Sequence, residues 1–207
     1  MVSYVFVFDF ESFGGSPKTN GFTELGAVLM EVPSGKVFEQ FHSYASQEGL
    51  EREQRCMSEF WANELDRYNE TVERTMLAPS PSSVVASFIW WVKDTATTYN
   101  IKNNVHLLTD NAGFDLALLA HYSYNSIHYV FGEYRTVIDS TMYYKGLLRS
   151  PLTVATSKQI TSTKDAAFRA ITGGSISIPP SLSHNPVEDA INIGKWWCAI
   201  QCALALT

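Results

Sequence analysis

The chain alternates between short, densely apolar runs and polar stretches rich in turn residues. Residues 4–10, YVFVFDF, are apolar on both faces and rich in β-branched and aromatic types, the profile of a strand buried within a sheet. The pattern predicts a strand over Val2–Phe10, then a turn region over Ser12–Gly21, which holds three glycines, a proline and an asparagine. A second strand, Glu24–Val32 (ELGAVLMEV), a tight turn at Pro33-Ser34-Gly35 and a third strand, Lys36–Tyr44, complete an antiparallel meander. From about Glu48 to Met76 the pattern is helical and polar, with Phe60, Trp61, Leu65 and Tyr68 as apolar points. The loop Ala78–Ser82 leads into an apolar helix over Val84–Thr98, with Ser82 or Ser83 placed to cap it.

The second half reads as a fourth strand, Val105–Thr109, a helix over Phe114–Tyr124, a short fifth strand, Arg135–Asp139, and helix from Ser140 onward. Residues 149–183 are weakly patterned, with one helix near Thr163–Ile171 and a Gly/Ser/Pro segment, GGSISIPPSLS. A final helix runs from Pro186 to about Leu206. There is no internal repeat. A meander followed by alternating helices and strands implies an α/β fold on a mixed five-stranded sheet flanked by helices, as one domain over residues 1–207.

Composition narrows the function. Hydrophobic residues make up 45% of the 207 and charged residues 17%, which places the chain among globular proteins. Its 21 acids outnumber its 15 lysines and arginines, for a net charge of -6, and no basic run occurs. That excludes a protein that coats a duplex through many phosphate contacts, and leaves open local phosphate binding through metal ions. Cys56, Cys198 and Cys202 lack metal-ligand spacing and read as buried free thiols in a reducing compartment. With no basic segment ahead of the first apolar run and no span of about 18 uninterrupted apolar residues, the expectation is a cytoplasmic protein with no membrane association.

Three clusters carry candidate chemistry. Asp9 and Glu11 sit at positions i and i+2 of the first strand and so leave the sheet on one face. Like charges that close raise each other's pKa, and a hard divalent cation such as Mg²⁺ or Mn²⁺ removes the penalty; a solvated strand end is the alternative. Asn111-Ala112-Gly113-Phe114-Asp115 follows the fourth strand directly. There Asn111 suits a helix start, and Asp115 is either an acid favoured by the helix dipole or a third metal ligand. Asp110 belongs to the strand-to-helix turn and reads as structural. In His184-Asn185-Pro186-Val187-Glu188-Asp189, Asn185 is a good N-cap and Pro186 fits the first helical position. Asp189 then falls on the apolar stripe of Ile193, Trp196, Ile200 and Ala203. A buried carboxylate there needs a partner, either hydrogen-bond donors or a metal ion. His184 lies on the loop just before.

Asp-x-Glu on the first strand, Asn-x-x-Phe-Asp after the fourth and His-x-x-x-x-Asp at the last helix occur in that order across residues 9–189. This resembles the DEDDh superfamily of 3′–5′ exonucleases, whose members have a ribonuclease-H-like fold and include ribonuclease T, oligoribonuclease and polymerase proofreading subunits. The resemblance implies that Asp9, Glu11, Asp115 and Asp189 hold two Mg²⁺ or Mn²⁺ ions and that His184 is the general base. It implies hydrolysis of single-stranded RNA or DNA 3′ ends to nucleoside 5′-monophosphates by a two-metal mechanism. Ser12 stands where relatives often have threonine, and Pro186 where alanine is common. Phe10, Phe13 and Phe114 are candidates to stack the terminal bases and are equally suited to the core; Ser12 and Asn111 are further substrate-binding candidates. Trp61 lies in a stretch, SEFWANELDRYNETVER, that resembles the region after the third strand of small phage and bacterial exonucleases, which would put it near the terminal nucleotide; core is the alternative. The loop before His184 has glycines and prolines enough to move, so His184 is expected to become fully ordered only with metal and substrate. The apolar run WWCAIQCALALT is suited to burial against the domain or a second subunit, and relatives are often homodimers. Two rival readings remain: a non-catalytic nucleic-acid-binding or scaffold protein on the same fold, and a phosphodiesterase of dinucleotides or short oligomers.

Overall fold

The computed structural model describes residues 3–101, 105–123, 136–139 and 183–205. In chain order the elements are β1 (Ser3–Glu11), β2 (Glu24–Val32), β3 (Val37–Tyr44), α1 (Gln54–Glu59), a 3-10 turn (Trp61–Asn63), α2 (Leu65–Thr75), α3 (Pro81–Thr98), β4 (His106–Thr109), α4 (Ala112–Tyr122), β5 (Thr136–Asp139) and α5 (Pro186–Ala205). The strands form one mixed sheet in the order β3-β2-β1-β4-β5. β1 to β3 are the antiparallel meander, and β4 and β5 add parallel to β1. The five strands and their directions agree with the sequence reading. No helix among the described residues is long and apolar enough to cross a membrane.

The two faces of β1 carry different cores, as alternation along a strand requires. Phe6, Phe8 and Phe10 point into a cluster with Val85, Phe88 and Val92 of α3 and Leu118 and Leu119 of α4. Val5 and Val7 point the other way, onto Ala190, Ile193 and Cys198 of α5. Asp9 and Glu11 continue that second face. Their directly opposed β2 partners are Gly26 and Glu24. At Gly26 an added Cβ would stand 2.3 Å from the Pro186 carbonyl carbon and the Val187 nitrogen. The missing side chain is what lets the first turn of α5 settle directly on the sheet beside Asp9. Of the expected apolar stripe of α5, Ile193, Trp196 and Ile200 are almost inaccessible.

Boundaries shift where local chemistry outweighs pattern. α3 begins at Pro81 and is capped by Ser80, whose hydroxyl accepts the Ser83 N–H at 3.3 Å, rather than by Ser82 or Ser83. Proline at the first helical position, with its φ already helical, sets the start. α4 begins at Ala112, two residues earlier than the pattern indicated, with Asn111 as the N-cap residue. The helical stretch expected over 48–76 is two helices broken around Phe60–Glu64. Trp61 turns inward there, packing edge-on against Phe13 and donating from its indole nitrogen to the Ser12 carbonyl at 3.1 Å. The expected helices from Ser140 and near Thr163–Ile171, and residues 173–182 of the loop, lie outside the described residues.

Candidate active site

β1 pairs with β4 at Phe6↔Leu107 and Val7↔Leu108 and then runs on to Glu11. Its end and the end of β4 therefore share one rim, the carboxyl edge of the parallel pair, where open α/β sheets build their sites. The Phe10 N–H, between the two acids of β1, donates to Asp115 Oδ1 at 3.3 Å, and the Thr109 hydroxyl at the end of β4 donates to Asp115 Oδ2. Asp115 in the first turn of α4 thus ties both strand ends together and is itself buried.

From the other face, α5 brings Asp189. Asn185 caps the helix, its side-chain oxygen accepting from Val187 N at 3.1 Å and Glu188 N at 3.3 Å. Asp189 is 1% exposed and folds back on the preceding loop. Its Oδ2 accepts the His184 N–H at 2.7 Å, and its Oδ1 accepts the Ser183 N–H and, at 3.0 Å, the Ser183 hydroxyl. His184 is held with φ at +58°, a left-handed conformation that costs a non-glycine residue about 1–3 kcal/mol. Its Nδ1 lies 3.8 Å from Glu11 Oε1. One potential ligand atom each from Glu11, His184 and Asp189 falls within 4.8 Å of the others.

Asp9 and Glu11 each lie in the field of the other acids, although only Glu11 and Asp189 of the four join His184 in the close group. Burial, then Asp115, Glu11, Asp189 and Asp110, hold Asp9 well above the usual carboxylate range. Burial, then Asp189 and Glu24, do the same to Glu11, with Arg67 acting against them. Burial pushes Asp115 up to about 7 despite the hydrogen bond from Thr109. Asp189 is raised by burial and held back by the Ser183 and His184 donors. Burial lowers His184, with Asp189 and Glu64 raising it and Arg67 lowering it. Clustered buried carboxylates that disfavour one another's charge, all offering hard oxygen donors, fit divalent cations such as Mg²⁺ or Mn²⁺.

No family model and no curated sequence matches the chain; the likeness is carried by structure. Over 96% of its length the chain superposes on 92% of the nuclease domain of 3′hExo, a DEDDh family member bound to rAMP, with a TM-score of 0.61 at 15% identity. Over 99% of its length it superposes on 42% of E. coli exonuclease I in complex with a dT13 oligonucleotide, with a TM-score of 0.63 at 12% identity. It thus spans about two fifths of exonuclease I.

This chain has the fold of the DEDDh exonucleases.

Of the aromatic residues considered for contact with the terminal nucleotides, Phe10 and Phe13 as stacking candidates and Trp61 beside them, all three take the core alternative. Phe10 is 3% exposed and packs edge-on to Phe22, because it shares its strand face with Phe6 and Phe8 rather than with the acids. Phe13 and Trp61 are buried against each other and against Tyr68. These three are core, and no ring face is left for a base. Phe114 is half-buried against the α3 side of the core, Asn111 is exposed at the start of α4, and the Ser12 hydroxyl is turned to the Gly14 backbone.

Three residues to which the sequence assigned no role in the chemistry border the site. Glu24 faces Glu11 across the β1–β2 ladder and is fully buried. Arg67 of α2 pairs with it, Nη2 donating to Oε1 at 2.8 Å and Oε2 at 2.9 Å. The ring of Phe60 meets the His184 imidazole edge-on at 4.4 Å between centroids. The one available signal was Glu24 itself, an acid opening a run that is otherwise fully apolar up to Met30.

Proposed function

We propose that this protein is a divalent-metal-dependent 3′–5′ exonuclease that removes nucleoside 5′-monophosphates from single-stranded RNA or DNA ends. The reading is carried by the meeting of Glu11, His184 and Asp189 within 4.8 Å at the rim of the sheet, inside the shared field of Asp9 and Asp115. Asp9, Glu11, Asp115 and Asp189 would hold two Mg²⁺ or Mn²⁺ ions. When bound, such ions supply positive charge to the scissile phosphate and acidify a water. His184, whose imidazole burial holds below its ordinary value, would accept a proton from the attacking water. The backbone donors of Ser183 and His184 orient the Asp189 carboxylate.

The bound rAMP and dT13 of the structural neighbours support a nucleic-acid 3′ end as the substrate. The net charge of -6 favours a short single-stranded end over a long duplex, since the protein has no lysine and arginine field to hold one. Three free thiols support a reducing, cytoplasmic setting.

Incubation with 5′-labelled single-stranded 20-mers and with dinucleotides, in Mg²⁺ or Mn²⁺ and then in chelator, tests the assignment. A metal-dependent ladder shortening from the 3′ end is expected. Cleavage of dinucleotides alone assigns a short-oligomer phosphodiesterase instead, and binding without cleavage in either metal assigns a scaffold.

A further inference from the structure

His184 is held by groups outside the three acidic motifs. One edge of the Arg67 guanidinium spans two partners: Nε donates to the His184 carbonyl at 2.8 Å, and Nη2 donates to both oxygens of Glu24. Glu24 is fixed in turn by the Thr71 hydroxyl at 3.0 Å and by His42 Nε2 at 3.1 Å. The Arg67 side chain is only 18% exposed and that of Glu24 is inaccessible, so solvent competes little for these bonds. On the other side of the same residue, in the preceding peptide unit, the His184 N–H is taken by Asp189. A residue in left-handed backbone conformation is therefore gripped at both its N–H and its C=O, and its ring rests on Phe60.

We propose that Arg67 is the positioning residue of the site: braced by Glu24, it locks the His184 peptide so that the imidazole is aimed at the reaction centre before metal or substrate arrives. Glu24 has a second reason to be where it is. It stands opposite Glu11 in the ladder, and like charges so placed repel unless a cation lies alongside. Arg67 both neutralises that pair and uses it as an anchor, coupling the acid at the end of β1 to the loop before α5. Lysine cannot substitute, because a single ammonium lacks the planar fork that reaches a carboxylate and a carbonyl from one edge.

The inference rests on His184 being the proton acceptor, and its test has a readout that does not. Arg67→Lys keeps a positive charge beside Glu24 and so preserves the fold. In that variant kcat is expected to fall roughly 10- to 100-fold with KM within about threefold, the signature of lost positioning rather than lost binding. In metal-free protein, hydrogen–deuterium exchange at residues 183–185 is expected to accelerate while the β1 and β2 amides stay protected. Should Arg67→Lys fail to fold, Glu24→Gln/Arg67→Met removes both buried charges together and is expected to show the same two changes. Unchanged kcat with unchanged exchange, or a loss confined to KM, overturns the role of Arg67. Full turnover by Asp189→Ala would instead overturn the assignment of the four acids and His184 as the catalytic site, and the exchange result would still decide the Arg67 clamp.

Discussion

Glu11→Gln removes one charge from the buried cluster and leaves the side chain's size unchanged. Glu11 and Asp189 offer oxygens within 4.8 Å of each other. At an effective dielectric constant of about 20, two full charges at that separation repel by roughly 3–4 kcal/mol. The folded protein can avoid this by taking up a proton, which costs about 1.4 kcal/mol for each pH unit above the ordinary glutamate value near 4.3. Proton uptake therefore limits the penalty to about 1 kcal/mol at pH 5, and at pH 8 the repulsion itself is the smaller of the two costs. Because the folded-state value of Glu11 is raised, first by burial and then by Asp189, the folded protein binds more protons than the unfolded chain. Stability accordingly falls as pH rises from about 4.3 through the raised value. With Arg67 trimming the effect, metal-free Glu11→Gln is expected to exceed the parent by about 1 kcal/mol at pH 5 and about 3 kcal/mol at pH 8. At roughly 2–4 °C per kcal/mol for a chain of this size, that is an easily resolved Tm difference in thermal unfolding with chelator present. Added Mn²⁺ is expected to reverse the ranking at pH 8, since the parent binds the ion with one more charge. A Tm gain equal at both pH values, or a variant less stable than the parent at pH 8, refutes the clustered-charge account.

Three further outcomes follow from the same geometry. His184→Ala is expected to lower kcat about 10²–10⁴-fold on labelled oligonucleotide while Mn²⁺ still raises Tm, because the acids remain. Burial holds the His184 imidazole below its ordinary value near 6.5, and only the neutral ring accepts a proton. The kcat–pH profile should therefore rise with pH and level off early, with the midpoint of its acid limb under 6.5; a midpoint above 7 contradicts the role. Gly26→Ala forces a Cβ against the backbone at Pro186 and Val187, where no flexible side chain can yield. It should cost about 1–3 kcal/mol in urea unfolding and reduce activity by displacing His184 and Asp189 from Glu11.

Much of this was legible in the sequence because it is local. Strand parity put Asp9 and Glu11 on one face, the Asn185-Pro186 start phased α5, and that phase turned Asp189 inward. Parity also held the answer for Phe10, which lies one residue out of step with the acids and so had to join Phe6 and Phe8 in the core. Phe13 and Trp61 could not be assigned in the same way. Their burial depends on each other and on Tyr68, contacts made across a turn that has no period. The Glu24–Arg67–His184 link is harder still: its members are 43 and 117 residues apart, and only the folded chain brings them together.

Anomalous diffraction from crystals grown or soaked in Mn²⁺ tests the central claim most directly. The account predicts two peaks at the rim of β1 and β4, ligated by the carboxylates of Asp9, Glu11, Asp115 and Asp189, and their disappearance in Asp189→Ala. No peak among those four side chains at saturating Mn²⁺, or ions bound only elsewhere on the surface, contradicts it.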